Sequence, residues 1–161
     1  MIEEVEKIDL DEIDRRILEI LQISGRDSAS SIAEAVNLSV PAASERIKKL
    51  QDLDVIRGYE AVINAKKVGL DVSALVTVIT ESSSNYEKVI DCVNNTPEIV
   101  ECYATTGGGS HILLTQTTNT ETLEKLLRKI QGWPGIIRTE TQIILSSNKR
   151  KQPLRIPLKG E

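Results

Sequence analysis

Arg46, Lys48 and Lys49 lie within four residues of one another, in a stretch whose other exposed positions are small or polar. Cationic side chains at helical spacing neutralise phosphates and donate to base edges, so the chemistry open to this cluster is nucleic-acid binding. Catalysis is poorly provided for. His111 is the chain's one histidine and reads as a strand residue rather than a catalyst. Cys92 and Cys102 form no close-spaced metal or redox motif and read as reduced thiols. The glycine run Thr106-Gly107-Gly108-Gly109-Ser110-His111 lacks the Lys and following helix of a phosphate-binding loop. With no Ser–His–Asp arrangement and no ligand cluster, the expectation is a non-enzyme with neither cofactor nor metal.

The cluster must be positioned by helices. Residues 28–53, SASSIAEAVNLSVPAASERIKKLQDL, read as two short helices joined by a tight turn. Ala29, Ile32, Ala33 and Val36 recur at helical spacing. Asn37 tolerates the left-handed conformation that ends a helix, and Leu38 plugs the turn. Ser39 is a good N-cap, and Pro41 sits in the first turn, where a missing amide proton costs nothing. The second helix is expected to point Val40, Ala43, Ile47 and Leu50 inward, and Ala42, Glu45, Arg46, Lys48 and Lys49 outward. Such a pair fits the major groove of duplex DNA, the plainer alternative being a helical hairpin with a solvated face. Before it, Asp9 or Asp11 caps a helix running to about Ile23, with Leu10, Ile13, Ile17, Leu18, Ile20 and Leu21 on its apolar face. After it, Val55–Ile63 alternates as a strand.

Charge tempers the DNA reading. The 161 residues carry a net −4, and residues 1–64 hold 8 basic against 14 acidic side chains. The acids crowd into Glu3–Glu19, whereas residues 147–161 carry five basic residues and one acid. The implied DNA affinity per head is modest, and useful binding needs several heads together. Hydrophobic residues make up 40% with no Phe, so the cores must be Ile, Val, Leu and Ala. With no apolar run long enough to span a membrane and no signal-like start, the chain is expected to be cytoplasmic.

The second half has a different rhythm. Ser73–Thr80 is strand-like, Tyr86–Val93 helical, Ile99–Thr105 and His111–Thr117 a hairpin around the glycines. Thr120–Ile130 is a second helix with Thr120 as its cap, and Ile136–Leu145 the last strand. The order βαββαβ predicts a ferredoxin-like antiparallel sheet with both helices on one face. Its apolar open face should be covered by a second copy, giving a symmetric dimer. The overall expectation is an α+β chain: a helix-turn-helix (winged-helix-like) head over 1–53, a hinge strand and linker over 54–70, a sensing and dimerisation domain over 71–148, and a basic, flexible tail over 149–161.

The pieces LDEIDRRILEILQISGR (10–26), SIAEAVNLS (31–39), ERIKKLQDLDVIRGYEAVIN (45–64), TPEIVECYATTGG (96–108) and WPGIIRTETQIIL (133–145) together resemble the Lrp/AsnC (feast/famine) transcription regulators. The resemblance implies a helix-turn-helix head, a hinge strand and a ligand-sensing βαββαβ domain. It also implies dimers, often assembled into octamers, and a response to an amino acid or related metabolite. Arg46, Lys48 and Lys49 match typically basic positions, while Glu45 stands where relatives often have Arg or a small polar residue.

On this reading Ser39, Pro41, Ala42, Glu45 and Arg46 lie nearest the bases. Lys48, Lys49, Arg26 and the serines Ser28, Ser30 and Ser31 suit phosphates, with Ser28 more plainly a helix cap. The sensing loop, Thr106, Gly107, Gly108, Gly109 and Ser110, departs from the family pattern: Ser110 replaces a frequent Asp, and no carboxylate remains. Thr139, Glu140 and Thr141 on the last strand are the facing polar candidates, with Glu140 able to supply the missing charge. Two readings stay open: a pocket with an altered or lost effector, its glycine amides forming an anion nest, or simply a loose hairpin. The expected partners are double-stranded DNA, further copies of the chain and a small amino-acid-like effector, with no membrane. The alternative function is an architectural DNA-binding protein that senses nothing.

Overall fold

The computed structural model describes residues 7–149 and 152–157. The chain divides into two compact units, a head of residues 1–62 joined by 149–161, and a second unit of residues 63–148.

The head holds α1 (Glu12–Ile23), α2 (Ala29–Ala35) and α3 (Val40–Asp52). Asp11 caps α1, its carboxylate accepting from the Asp14 amide at 2.7 Å. Ser28 and Ser39 cap α2 and α3 through the amides of Ser31 and Ala42. Asn37 adopts the expected positive φ of 54° in the turn between them. Ile17, Leu18, Ile32 and Leu50 form the core, with Ile13, Val36, Ile47, Val55 and Ile56 packed around it. Val40, expected inside, is exposed because it opens α3 beyond the edge of this small core.

Val55–Ile63 is not a strand: it pairs with no strand among the described residues. Its start is claimed by the end of α3 instead, the amides of Val55 and Ile56 both donating to the Leu50 carbonyl. Tyr59, Val62 and Ile63 are left exposed. The residues beyond 148, expected as a flexible tail, return in part to the head: Leu154 is hydrogen-bonded to Gln22, and Ile156 packs against the core.

The second unit carries β1 (Val72–Thr80), α4 (Tyr86–Asn94), β2 (Ile99–Ala104), β3 (His111–Thr117), α5 (Thr120–Gln131) and β4 (Ile136–Ile143). The sheet is antiparallel in the order β2-β3-β1-β4. Period-two alternation buries Ala74, Val76 and Val78 of β1 and His111, Leu113, Thr115 and Thr117 of β3. The core gathers Val76, Val78 and Leu113 with Val89 and Val93 of α4, Leu126 and Ile130 of α5, and Trp133. The cap of α5 is Asn119 rather than Thr120: its side chain accepts from the Thr122 amide while the Thr122 hydroxyl accepts from the Asn119 amide, completing a capping box. Leu75, Ile79, Ile112 and Leu114 fall on the opposite, open face of the sheet.

Trp133 reports on the second unit alone. Ile17→Ala, which hollows the small head core, is expected to cost the head about 2–5 kcal/mol. In a urea titration the helical circular-dichroism signal should then melt in two steps, the Trp133 fluorescence midpoint staying where it is in the wild type.

Candidate DNA-reading face and sensing loop

The face presented by α3 follows from which side is packed. Ala43 and Leu50 are buried and Ile47 is half-buried, so the outermost line runs through Pro41, Ser44, Glu45 and Lys48, all exposed. Ala42 is half-buried at its edge, and Lys49 is exposed. Ser44, absent from the sequence expectation, joins this line because it lies three residues after Pro41 and four before Lys48 on the same helix face. At the start of α2, the Ser28 hydroxyl accepts from the Ser31 amide at 3.2 Å and shares a hydrogen bond with the Ser30 hydroxyl at 2.8 Å. Ser28 is therefore the cap, and Ser30 and Ser31 lie exposed in the first turn. Arg26 is exposed in the preceding turn.

Arg46 is placed differently from the expectation. Its Nη1 donates to Asp11 Oδ2 at 2.7 Å and to Asp14 Oδ1 at 2.8 Å. Asp14 is only 7% exposed, so this guanidinium answers a buried carboxylate before it can answer a base. The Asp14 amide chiefly, with some help from Arg46 and against partial desolvation, holds the Asp11 carboxyl below its ordinary range, and the two carboxylates push the Arg46 pKa up. Arg46 thus pins α3 to the capped start of α1. Its side chain is half-buried, off the exposed line through Pro41, Ser44, Glu45 and Lys48.

An open groove of about 1050 Å³ runs between these helices. Asp9, Asp11, Glu12, Asp14, Glu45 and Asp52 line it against Arg15, Arg46, Lys48 and Lys49. Six carboxylates against four cations make a poor seat for phosphate. The N-terminal half of α3 with the start of α2 instead offers capped helix ends and exposed hydroxyls, groups suited to phosphate contacts.

In the second unit the glycine loop divides by position. Gly107 has a φ of +105°, a conformation L side chains rarely adopt. A Cβ on Gly109 would lie 2.3 Å from Cγ2 of Thr77, whereas one on Gly108 would meet nothing within 4 Å. Ser110 is committed inward: its amide and its hydroxyl both donate to the Val78 carbonyl, at 3.0 and 3.1 Å, and its hydroxyl accepts from Thr80. Thr105 also donates to the Gly109 carbonyl. Backbone conformation accounts for Gly107 and close packing for Gly109, and the Ser110 amide is not free to serve an anion nest.

The strand register separates the facing candidates. Thr139 is opposite Val78 and Thr141 opposite Val76, on the helix-covered side, while Glu140 is opposite Thr77 on the open side. Thr139 accepts from Gln131 of α5 at 3.1 Å, and Glu140 is paired with Arg138 at 2.8 Å. Within one chain, then, Thr139, Glu140 and Thr141 do not converge on one pocket with Thr106–Ser110, because β1 lies between β3 and β4. His111 was set aside as a strand residue, and it is one, but it is not inert. It is 1% exposed, tilted at 46° against the Tyr86 ring with centroids 4.8 Å apart, and bonded through Nδ1 to the Ser110 hydroxyl. With that hydroxyl already donating to Val78, the imidazole proton belongs on Nδ1, leaving Nε2 a buried acceptor with no partner among the described residues. Burial pushes its pKa below the ordinary 6.5.

The class of fold is thus a two-domain one, a helix-turn-helix head followed by a βαββαβ domain. Residues 10–51 match the AsnC-type helix-turn-helix domain, and residues 72–154 match the Lrp/AsnC ligand binding domain. The HTH-type transcriptional regulator FL11 of Pyrococcus abyssi is 35% identical over 150 residues, 93% of this chain and 99% of that protein. The crystal structure of transcriptional regulator NMB0573 in complex with L-Met, from Neisseria meningitidis, superposes with a TM-score of 0.86 at 26% identity, over 91% of this chain and 97% of that one. The feast or famine regulatory protein Rv3291c of M. tuberculosis, complexed with L-methionine, gives 0.86 at 32% identity, over 92% and 100%. The chain belongs to the Lrp/AsnC family of transcriptional regulators.

Two measurements check this geometry. Arg46→Ala leaves the nearly buried Asp14 unpaired and should destabilise the head by about 3–5 kcal/mol; Asp14→Ala leaves Arg46 its Asp11 partner and should cost less, while Lys48→Ala leaves the head within about 0.5 kcal/mol. Chemical denaturation followed by circular dichroism reads the difference. In the second unit, a His111 pKa lower in the folded than in the unfolded chain means that its stabilisation is full above the ordinary 6.5 and is lost as pH falls below it. The Trp133-monitored unfolding midpoint should fall on acidification through that value, and His111→Gln should flatten the fall.

Proposed function

We propose that this chain binds duplex DNA sequence-specifically as a symmetric assembly, each head presenting Pro41, Ser44, Glu45 and Lys48 to the major groove. The observation that carries this reading is the α3 face: small, capped by Ser39, exposed along one line, and held in a single orientation by Arg46 between Asp11 and Asp14. Glu45 suits the N4 amino group of cytosine, Ser39 and Ser44 suit either base edges or phosphates, and Ser30, Ser31, Lys48 and Lys49 suit phosphates. The mixed charge of the groove beside α3 argues against indiscriminate coating of DNA, which depends on net phosphate neutralisation.

A second copy covers the open face of the sheet, seated on Leu75, Ile79, Ile112 and Leu114, and pairs of heads then meet successive half-sites. The effector is an α-amino acid or a close relative, an inference supported by the methionine bound in two structural neighbours. Its site is completed between copies, because Thr106–Ser110 and Thr139–Thr141 do not converge within one chain. Ligand bound there favours one assembly over another, and by linkage changes DNA affinity. On this reading the protein works in the cytoplasm.

A DNase footprint on the DNA upstream of its own gene, titrated at fixed salt, should show discrete protected patches in phase with the helical turn of about 10 base pairs. Uniform protection would point to an architectural protein instead. A thermal-shift panel of L- and D-amino acids should raise the melting temperature for at least one L form and not for its mirror image.

A further inference from the structure

The head is completed by residues that follow it by more than a hundred positions. Gln22, exposed near the end of α1, uses both ends of its carboxamide on one residue of the C-terminal segment: Nε2 donates to the Leu154 carbonyl at 3.2 Å and Oε1 accepts from the Leu154 amide at 2.5 Å. One side chain thereby supplies both hydrogen bonds that a neighbouring strand would offer an extended residue. Two residues further on, Ile156 is half-buried against the core built on Ile17, Leu18, Ile32 and Leu50. Pro153 and Pro157 bracket the contact, and their locked φ angles reduce the freedom the segment gives up on docking. Residues 152–157 group with the head, so the chain passes between the two units twice, after Val62 and after Asn148.

We infer that residues 152–157 are a strap: they dock on α1 of their own chain through Gln22 and Ile156, and give the second unit another hold on the DNA-binding head. A head joined by one linker samples orientations freely, whereas a head joined at two points is restricted, which raises the effective concentration of one head at its half-site once its partner is bound. This consequence for DNA rests on the DNA-binding reading above; the docking itself does not.

The test uses the full chain with two variants, Gln22→Ala, at an exposed position that leaves the head core intact, and Ile156→Asp. Amide hydrogen exchange of Leu154 should be slowed in the wild type and should rise to the rate of an unstructured peptide in both variants, with β1 and β3 unchanged. An unprotected Leu154 amide in the wild type would overturn docking. Gln22→Ala should weaken binding to DNA carrying two half-sites by about threefold or more, and to a single half-site by less than about twofold. Equal losses on both DNAs, or none, overturn the second hold. A wild-type chain that binds neither DNA overturns the DNA reading and the second hold together, while the exchange rates still decide whether the strap docks.

Discussion

Arg46 reaches from α3 to two carboxylates at the start of α1, and much of the head depends on that reach. Asp11 has two duties: it caps α1 through the Asp14 amide and accepts from the guanidinium. Asp14, nearly buried, would be a liability without the pair. The head core is small, built on Ile17, Leu18, Ile32 and Leu50 with half-buried neighbours around them, so packing alone leaves room in the angle between helices. The ion pair supplies the missing direction, because a guanidinium shared between two carboxylates admits few geometries. A surface pair would be worth little, but this one is half-sequestered and spans elements more than thirty residues apart.

The second unit depends on a different constraint. β1 lies at the centre of the sheet, paired on one side by β3 and on the other by β4. That placement buries Val76 and Val78 under α4 and α5, and it also keeps the glycine loop at the end of β3 two strands away from β4. Gly109 is packed against Thr77, and Ser110 is bound to Val78 and Thr80, so the loop is an integral part of the strand end rather than a free hairpin. A polar cluster that looks natural in a linear reading is divided by the pleat.

Local signals were legible and distant ones were not. Ser28, Asn37 and Ser39 could be placed because caps and left-handed turns are decided within a few residues. β3 could be bounded from His111 to Thr117 because alternation and flanking turns mark it. The cap of α5 slipped by one residue, since Asn119 and Thr120 are both good caps and only the Thr122 box decides between them. The ion pairs of Arg46 are invisible in the sequence because its partners lie 32 and 35 residues earlier, beyond any periodicity. Val55–Ile63 has the alternation of a strand, but pairing needs a neighbour, and sequence does not reveal whether one exists. Thr139, Glu140 and Thr141 are adjacent on paper, yet register puts the middle one on the other face.

The return of Ile156 to the head core has a consequence for synthesis. A chain is made from its N-terminus, and domains generally close as they emerge. Here the first domain to emerge lacks one of its packing residues, Ile156, until the whole of the second unit has been made. A nascent chain therefore carries an unfinished reading head for as long as the βαββαβ domain is still being made. The order of assembly couples the two activities: the part that grips DNA is finished only once the part that governs it already exists.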